Sequence, residues 1–163
     1  MLPTSQMRAL RELEPPSLDE GFRAVETVPL ARVSAGGGRP GVFVGAAATS
    51  RHGILEALAD ADPSAPHLVF DWTPGGDARA LRGSAARTAS AVTGQVDVAV
   101  CPHAGGPPRC WCRPPLPGLP LAFARAHSVD PTRSILLGCS PTHRTLATTL
   151  GARYIQVSDG TDA

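Results

Sequence analysis

Gly41-Val42-Phe43-Val44-Gly45-Ala46-Ala47-Ala48-Thr49 sets three bulky apolar residues between two glycines. Side chains alternate between the two faces of a strand, so an unbroken apolar run is apolar on both, which suits a strand covered from both sides. Ile135-Leu136-Leu137 repeats the pattern. Between and around these runs, strand-length segments alternate with helical ones. Strands are expected at Val42 to Gly45, His67 to Trp72, Val96 to Cys101, Ile135 to Gly138 and Arg153 to Val157. Helices are expected at Gly53 to Ala61, Ala78 to Val92, Gly118 to Ser128 and Thr142 to Leu150. This rhythm predicts an α/β fold: a parallel five-stranded sheet with helices on both faces. In such sheets the working groups lie beyond the carboxyl ends of the strands, here Gly45, Asp71, Cys101 and Cys139.

Working outward from Gly41, the preceding loop Ser34-Ala-Gly-Gly-Gly-Arg-Pro40 is flexible by composition and divides an N-terminal arm and linker (1–40) from the main domain (41–163). It is no phosphate cradle, since its glycines precede a strand and the Lys and Ser/Thr of a P-loop are missing. Within the arm, Ser5 to Leu13 has a short helical pattern stopped by Pro15 and Pro16, and Arg23 to Val33 reads as an extended piece near a sheet.

At 163 residues the chain has the length of one domain, with a core built mainly from Ala, Val and Leu. Its formal net charge is +1 and its fifteen basic residues are all arginine. Schiff-base and P-loop lysine chemistry are therefore excluded, and the Arg bias reads as genomic composition rather than function. No basic run supports a nucleic-acid face. Met1 to Glu14 lack the apolar stretch of a signal peptide and no run is long enough to span a bilayer, which predicts a cytoplasmic protein.

Three of the four cysteines and one histidine fall in Cys101-Pro-His103-x6-Cys110-Trp-Cys112. Zn²⁺ favours four such ligands in a tetrahedron, and a closed Cys3His set leaves no position open for substrate. The alternatives are free thiols, a redox pair or disulfides. The Cys-x-His and Cys-x-Cys pairs bracket a Gly/Pro-rich loop that can close on a metal, which favours structural zinc on Cys101, His103, Cys110 and Cys112. Of the other histidines, His52, His67 and His127 read as surface or strand-edge residues without a ligand role. Trp72 and Trp111 read as packing residues, and Asp60, Asp62 and Asp77 as solvated helix ends and loops.

Cys101-Pro-His103 followed by Cys110-Trp-Cys112-Arg113-Pro114-Pro-Leu-Pro-Gly118 is similar to the zinc loop of a branch of the haloacid dehalogenase (HAD) phosphatases that includes heptose bisphosphate and histidinol phosphatases. Ser134-Ile-Leu-Leu-Gly138-Cys139-Ser140 and Gly151-Ala-Arg-Tyr-Ile-Gln-Val157 resemble the last two strands of that family, so the likeness runs from Val42 to Ser158 and implies a HAD-like Rossmannoid fold. Separately, Pro16-Ser-Leu-Asp-Glu-Gly-Phe22 with Val28-Pro29 resembles the tail of the kinase part of polynucleotide kinase-phosphatases.

The HAD resemblance implies four catalytic elements, and this chain departs from each. Gly45 and Ala47 stand where the family carries its nucleophilic and acid/base aspartates. Asp71 stands for a phosphate-binding Ser or Thr, Pro114 for a charge-offsetting Lys, and Cys139 and His143 for Mg²⁺-binding acids. Without carboxylates at 45 and 47 there is neither a nucleophile nor a proton donor, and Mg²⁺ is not expected. Arg113 remains as a cation. Cys139-Ser-Pro-Thr-His-Arg144 has one residue too few for a cysteine-phosphatase loop, and Cys139 is read as a small buried thiol filling the vacated metal pocket. The expectation is a catalytically inactive pseudophosphatase with structural zinc, acting as an interaction or regulatory module with a protein partner, of polynucleotide-kinase type by the resemblance of the arm. The alternative is a phosphate monoester hydrolase, of polynucleotide 3′-phosphatase or sugar-phosphate type, with unusual catalytic residues.

Overall fold

The computed structural model describes residues 16–26, 37–106 and 110–158. The chain divides into two compact units, Met1–Val33 and Ser34–Ala163. In the first, Leu18–Glu20 form one 3-10 turn closed by a capping box, in which the Ser17 N–H donates to Glu20 Oε1 at 3.3 Å, and by Gly21 at φ 93°. Every described side chain of this unit is exposed, and Arg23 to Glu26 form no strand. The expected helix at Ser5 to Leu13 and the remainder of the expected extended piece lie outside the described residues.

In the second unit five strands, β1 Val42–Gly45, β2 His67–Trp72, β3 Val96–Cys101, β4 Ile135–Gly138 and β5 Arg153–Gln156, form one parallel sheet in the order β3-β2-β1-β4-β5. Four helices accompany them: α1 Ile54–Asp60, α2 Arg82–Ala89, α3 Gly118–His127 and α4 Pro141–Leu150. Strand alternation sorts the core into two layers. Val42, Val44, Val69 and Leu137 face Ile54, Leu58 and Leu81 on one side, while Phe43, Leu68, Phe70 and Leu136 face Phe123, Leu146 and Leu150 on the other. The sheet is therefore covered on both faces, as the apolar runs of β1 and β4 require.

The predicted segment Ala78 to Val92 divides into a 3-10 turn, Ala78–Leu81, and α2, because the Asp77 carboxylate accepts from the Arg79 N–H at 2.8 Å and tightens the first turn. An unforeseen 3-10 helix, Ala46–Ser50, follows β1. Two expectations are corrected. The described end of the loop before β1 is anchored to the domain: Arg39 bridges to Val129, its N–H donating to the Ser128 carbonyl at 3.0 Å and its carbonyl accepting from the Asp130 N–H at 2.9 Å, while Arg133 donates to the Gly38 carbonyl at 2.8 Å. His67 is fully buried, because β2 lies between β1 and β3 and not at an edge.

The chain builds β1, β2 and β3 outward to one side, then returns across the sheet to lay β4 against the other side of β1. The strand order reverses between β1 and β4, and ligand crevices of open α/β sheets form at the carboxyl ends of the strands at such a reversal. Here those ends are Gly45 and Gly138. Among the described residues no helix is long and apolar enough to cross a membrane.

Candidate metal centre and strand-end cavity

β3 ends at Cys101, which the sheet holds buried, and the chain then leaves it in an irregular Gly/Pro-rich loop. The loop lies against the end of β2. Thr73 and Gly75 donate their N–H groups to the carbonyls of Cys101 and Pro102, at 3.1 and 2.8 Å, and Trp72 Nε1 donates to the His103 carbonyl at 2.7 Å. Arg113 donates to the Gly106 carbonyl at 2.8 Å, and its guanidinium stands 5.2 Å from the centre of the Trp72 ring.

These ties bring Cys101, His103, Cys110 and Cys112 together, with their ligand atoms all within 4.8 Å of one another. Cys101 Sγ lies 3.6 Å from Cys110 Sγ, 3.3 Å from Cys112 Sγ and 3.5 Å from His103 Nδ1, and Cys112 Sγ lies 3.3 Å from the same nitrogen. Zinc bound at about 2.3 Å to sulfur and about 2.0 Å to nitrogen in a tetrahedron has edges of roughly 3.5–3.8 Å; the four separations of 3.3–3.6 Å lie within a few tenths of an ångström of these, so small shifts let the set hold such an ion through Nδ1 of the imidazole. The sulfurs are far too distant for a disulfide, and all four cysteines are free. Burial and the neighbouring sulfurs push the Cys112 thiol up to about 12. At Cys110 burial also pushes upward, but hydrogen bonds from the Cys112 and Arg113 backbone and from the adjacent thiols outweigh it and lower the pKa. A thiol that resists ionisation by itself, as Cys112 does, becomes a thiolate when a cation compensates it. Among the described residues this is the one cluster of three or more His, Cys, Asp or Glu side chains able to hold a metal ion.

Beside the metal centre lies a cavity of about 330 Å³ lined by Ala47, Asp71, Trp72, Arg113, Pro114, Cys139, Ser140, Thr142 and His143. It sits at the carboxyl ends of β1, β2 and β4. Five of the six positions singled out in the sequence as departures from the catalytic pattern line it directly: Ala47, Asp71, Pro114, Cys139 and His143. The sixth, Gly45, lies directly against the His143 imidazole. The floor is fixed from both sides. Arg87 donates to the Thr49 carbonyl and hydroxyl, each at 3.1 Å, holding the 3-10 helix after β1, and Ser140 caps α4 by accepting from the His143 N–H at 3.3 Å.

His143 is the group the sequence reading undervalued. It is buried, at 7% exposure, and packs edge-on against Phe70 with centroids 5.8 Å apart. Its Nδ1 accepts from the Cys139 N–H at 3.3 Å, which places the proton of the neutral ring on Nε2. Burial lowers its pKa and the Asp71 charge only partly opposes this, so the ring is neutral. A neutral imidazole in this tautomer has no free lone pair, either to attack phosphorus or to accept a proton. The expectation that Cys139 fills the vacated pocket is corrected: Cys139 is half-buried at the cavity wall, and His143 does the filling because the first turn of α4 points its side chain back over the strand ends. The ring meets the Cys139 backbone N–H.

Of the other histidines, His127 Nε2 pairs with Asp97 at 2.7 Å and His52 is exposed, so neither joins the site. Ser140 and Thr142 are lining residues that the sequence did not single out; the N-cap signature before α4 was the available sign for Ser140.

No family model and no curated protein matches this sequence. Solved structures do. The chain is similar to a protein described as a HAD-like phosphatase from Mesorhizobium loti, at 21% identity over 71% of this chain and 70% of that one, with a TM-score of 0.51. It is also similar to D,D-heptose 1,7-bisphosphate phosphatase from B. bronchiseptica, a structure complexed with magnesium and phosphate, at 21% identity over 74% of this chain and 83% of that one, with a TM-score of 0.48. The first likeness establishes a HAD-like Rossmannoid fold for the domain.

Proposed function

We propose that the chain is a HAD-fold pseudophosphatase: a domain clamped by structural zinc on Cys101, His103, Cys110 and Cys112 that serves as an interaction or regulatory module and does not turn over phosphate esters. One observation carries the reading. The cavity at the strand ends, where this fold would do its chemistry, presents Ala47, Pro114, Cys139 and a neutral His143 in place of acids and a lysine, with Gly45 under the imidazole. General acid/base help alone contributes about 10²- to 10⁴-fold in rate, and a covalent nucleophile adds to it, so losing both removes the means of phosphoryl transfer. Asp71 is the one carboxylate on the cavity wall, too few for a hard-cation site.

The partner is a protein, of polynucleotide-kinase type by the resemblance of Pro16 to Phe22, and co-purification of a kinase subunit with the native protein is the corresponding test. A second reading, a phosphate monoester hydrolase, draws support from the presence of both Arg113 and Asp71 on the wall of a cavity of about 330 Å³. Assays with Mg²⁺ on 3′-phosphorylated oligonucleotides, sugar phosphates and a chromogenic ester decide between them. The expected result is no turnover above background. Turnover that vanishes in Asp71→Asn or Arg113→Ala would replace the first reading with the second.

A further inference from the structure

We propose that His143 is a built-in plug of the strand-end cavity, the residue that determines which side chains the end of β1 can carry, and that positions 45 and 138 are glycine because of it.

Backbone conformation does not require glycine at either place. Gly45 has φ −64° and ψ 126°, ordinary extended backbone, and Gly138 is not among the residues of positive φ. Space is what requires it. A Cβ on Gly45 would lie 2.7 Å from His143 Nε2 and 2.9 Å from Nδ1, over the flat of the ring. A Cβ on Gly138 would lie 2.5 Å from the His143 Cβ and 2.9 Å from its Cγ. Both separations are shorter than real Cβ contacts reach. The ring cannot simply swing away, because Phe70 packs against it, the Cys139 N–H binds its Nδ1, and the Ser140 cap fixes the turn that carries it.

Position 45 is thereby closed even to a methyl group, and a carboxylate needs more room still. With the imidazole in place, position 45 can present neither a side-chain oxygen nucleophile nor a side-chain oxygen ligand for a hard cation. Positions 45 and 143 must change together, so a single substitution at 45 cannot restore a catalytic acid. The inference deepens the pseudophosphatase reading and rests on its assignment of position 45, but its test is independent of turnover.

The two glycines meet different parts of the same residue, which provides an internal control. Gly45 opposes ring atoms only, which His143→Ala removes; Gly138 opposes the Cβ most closely, at 2.5 Å, a contact that His143→Ala retains, and the ring at 2.9 Å. Thermal melting of zinc-loaded Gly45→Ala, Gly138→Ala, His143→Ala and the two double variants reads the coupling. In the wild-type background each glycine substitution is expected to lower Tm by roughly 5–10 °C. In the His143→Ala background the loss from Gly45→Ala shrinks to roughly 1 °C while most of that from Gly138→Ala persists. Equal losses from Gly45→Ala in both backgrounds would overturn the proposal, as would equal relief at both glycines, which would mean general loosening. Should Gly45→Ala fail to accumulate as folded protein, recovery of folded Gly45→Ala/His143→Ala is the expected result and its failure the contrary one. Turnover by the wild type would sink the pseudophosphatase reading and leave this coupling standing, whereas additive Tm losses would do the reverse.

Discussion

His67 and His143 are the two imidazoles that the fold closes over, and they differ in what they do there. His143 has Nδ1 satisfied and shapes a cavity. His67 donates from Nδ1 to the Ala65 carbonyl at 2.7 Å and leaves Nε2 buried without a partner. An unmet buried acceptor is costly, and a protonated ring in the same place costs more. Burial accordingly lowers both pKa values. In the unfolded chain these rings take up protons near pH 6.5, whereas in the fold they do so only at lower pH, so over that interval the unfolded state binds more protons and stability rises with pH. The stabilisation is fully present above about pH 6.5 and is lost as pH falls through the folded values. Metal ligands also protonate in acid, so the share of His67 is isolated by comparison with a variant. His67→Leu gives up one hydrogen bond together with the orphaned nitrogen, and is expected within about 1 kcal/mol of wild type at pH 7.5. Toward pH 5 it should gain on the wild type in urea midpoint. A difference that stays constant between the two pH values would show that His67 does not titrate with folding.

Among its described residues the loop between β3 and α3 has no helix or strand, and few of their hydrogen bonds return to the sheet. Cys101 anchors one end in the core, and the other three ligands lie in half-buried or exposed chain that Trp72 and Arg113 hold from outside. Metal binding in such a segment is folding free energy, because the four ligands are gathered only in the fold. Verified removal of zinc by a chelator is expected to lower Tm by more than roughly 10 °C and to loosen residues 102–117 in hydrogen exchange, while β1 and β4 stay protected. Unchanged melting after the metal has gone would make the cluster incidental. Trp72 tests the outer support separately. Phe at this position keeps the ring over which Arg113 stands but loses the Nε1 donor to the His103 carbonyl, so Trp72→Phe should weaken zinc affinity by roughly tenfold in competition with a chromophoric chelator, an outer-contact effect. Equal affinity would mean that the ligand geometry is set by the loop alone.

At the scale of the whole molecule, what was legible in the sequence was what local pattern determines. The apolar runs at Val42 and Ile135 gave the strands almost to the residue, because a doubly covered strand must be apolar on both faces. The spacing of Cys101, His103, Cys110 and Cys112 gave a ligand set that the fold does gather. What stayed hidden depended on neighbours distant in sequence: the burial of His67 follows from strand order, and the fit of His143 over Gly45 and Gly138 follows from how α4 packs on the sheet. The anchoring of Gly38 to Pro40 belongs to the same class, since composition reads that stretch as linker while its partners, Ser128, Asp130 and Arg133, lie some ninety residues on. This places the edge of the folded body before Gly38 and leads to a prediction about truncation. The described arm residues bury no side chain, with Leu18 61%, Phe22 51% and Val25 42% exposed, so their removal forfeits no core packing. A chain beginning at Gly37 should keep its zinc and melt within about 2 °C of the full chain. A chain beginning at Gly41 loses both backbone bonds of Arg39, its Nε bond to the His127 carbonyl at 3.2 Å and the Arg133 bond to Gly38. At about 0.5–1.5 kcal/mol for each net hydrogen bond, discounted for exposure, it should melt roughly 5 °C lower. If both truncations melt with the full chain, the bridge between Arg39 and Val129 contributes nothing and the linker reading of that stretch is restored; if both fall alike, residues before Gly37 contribute to the stability of the domain.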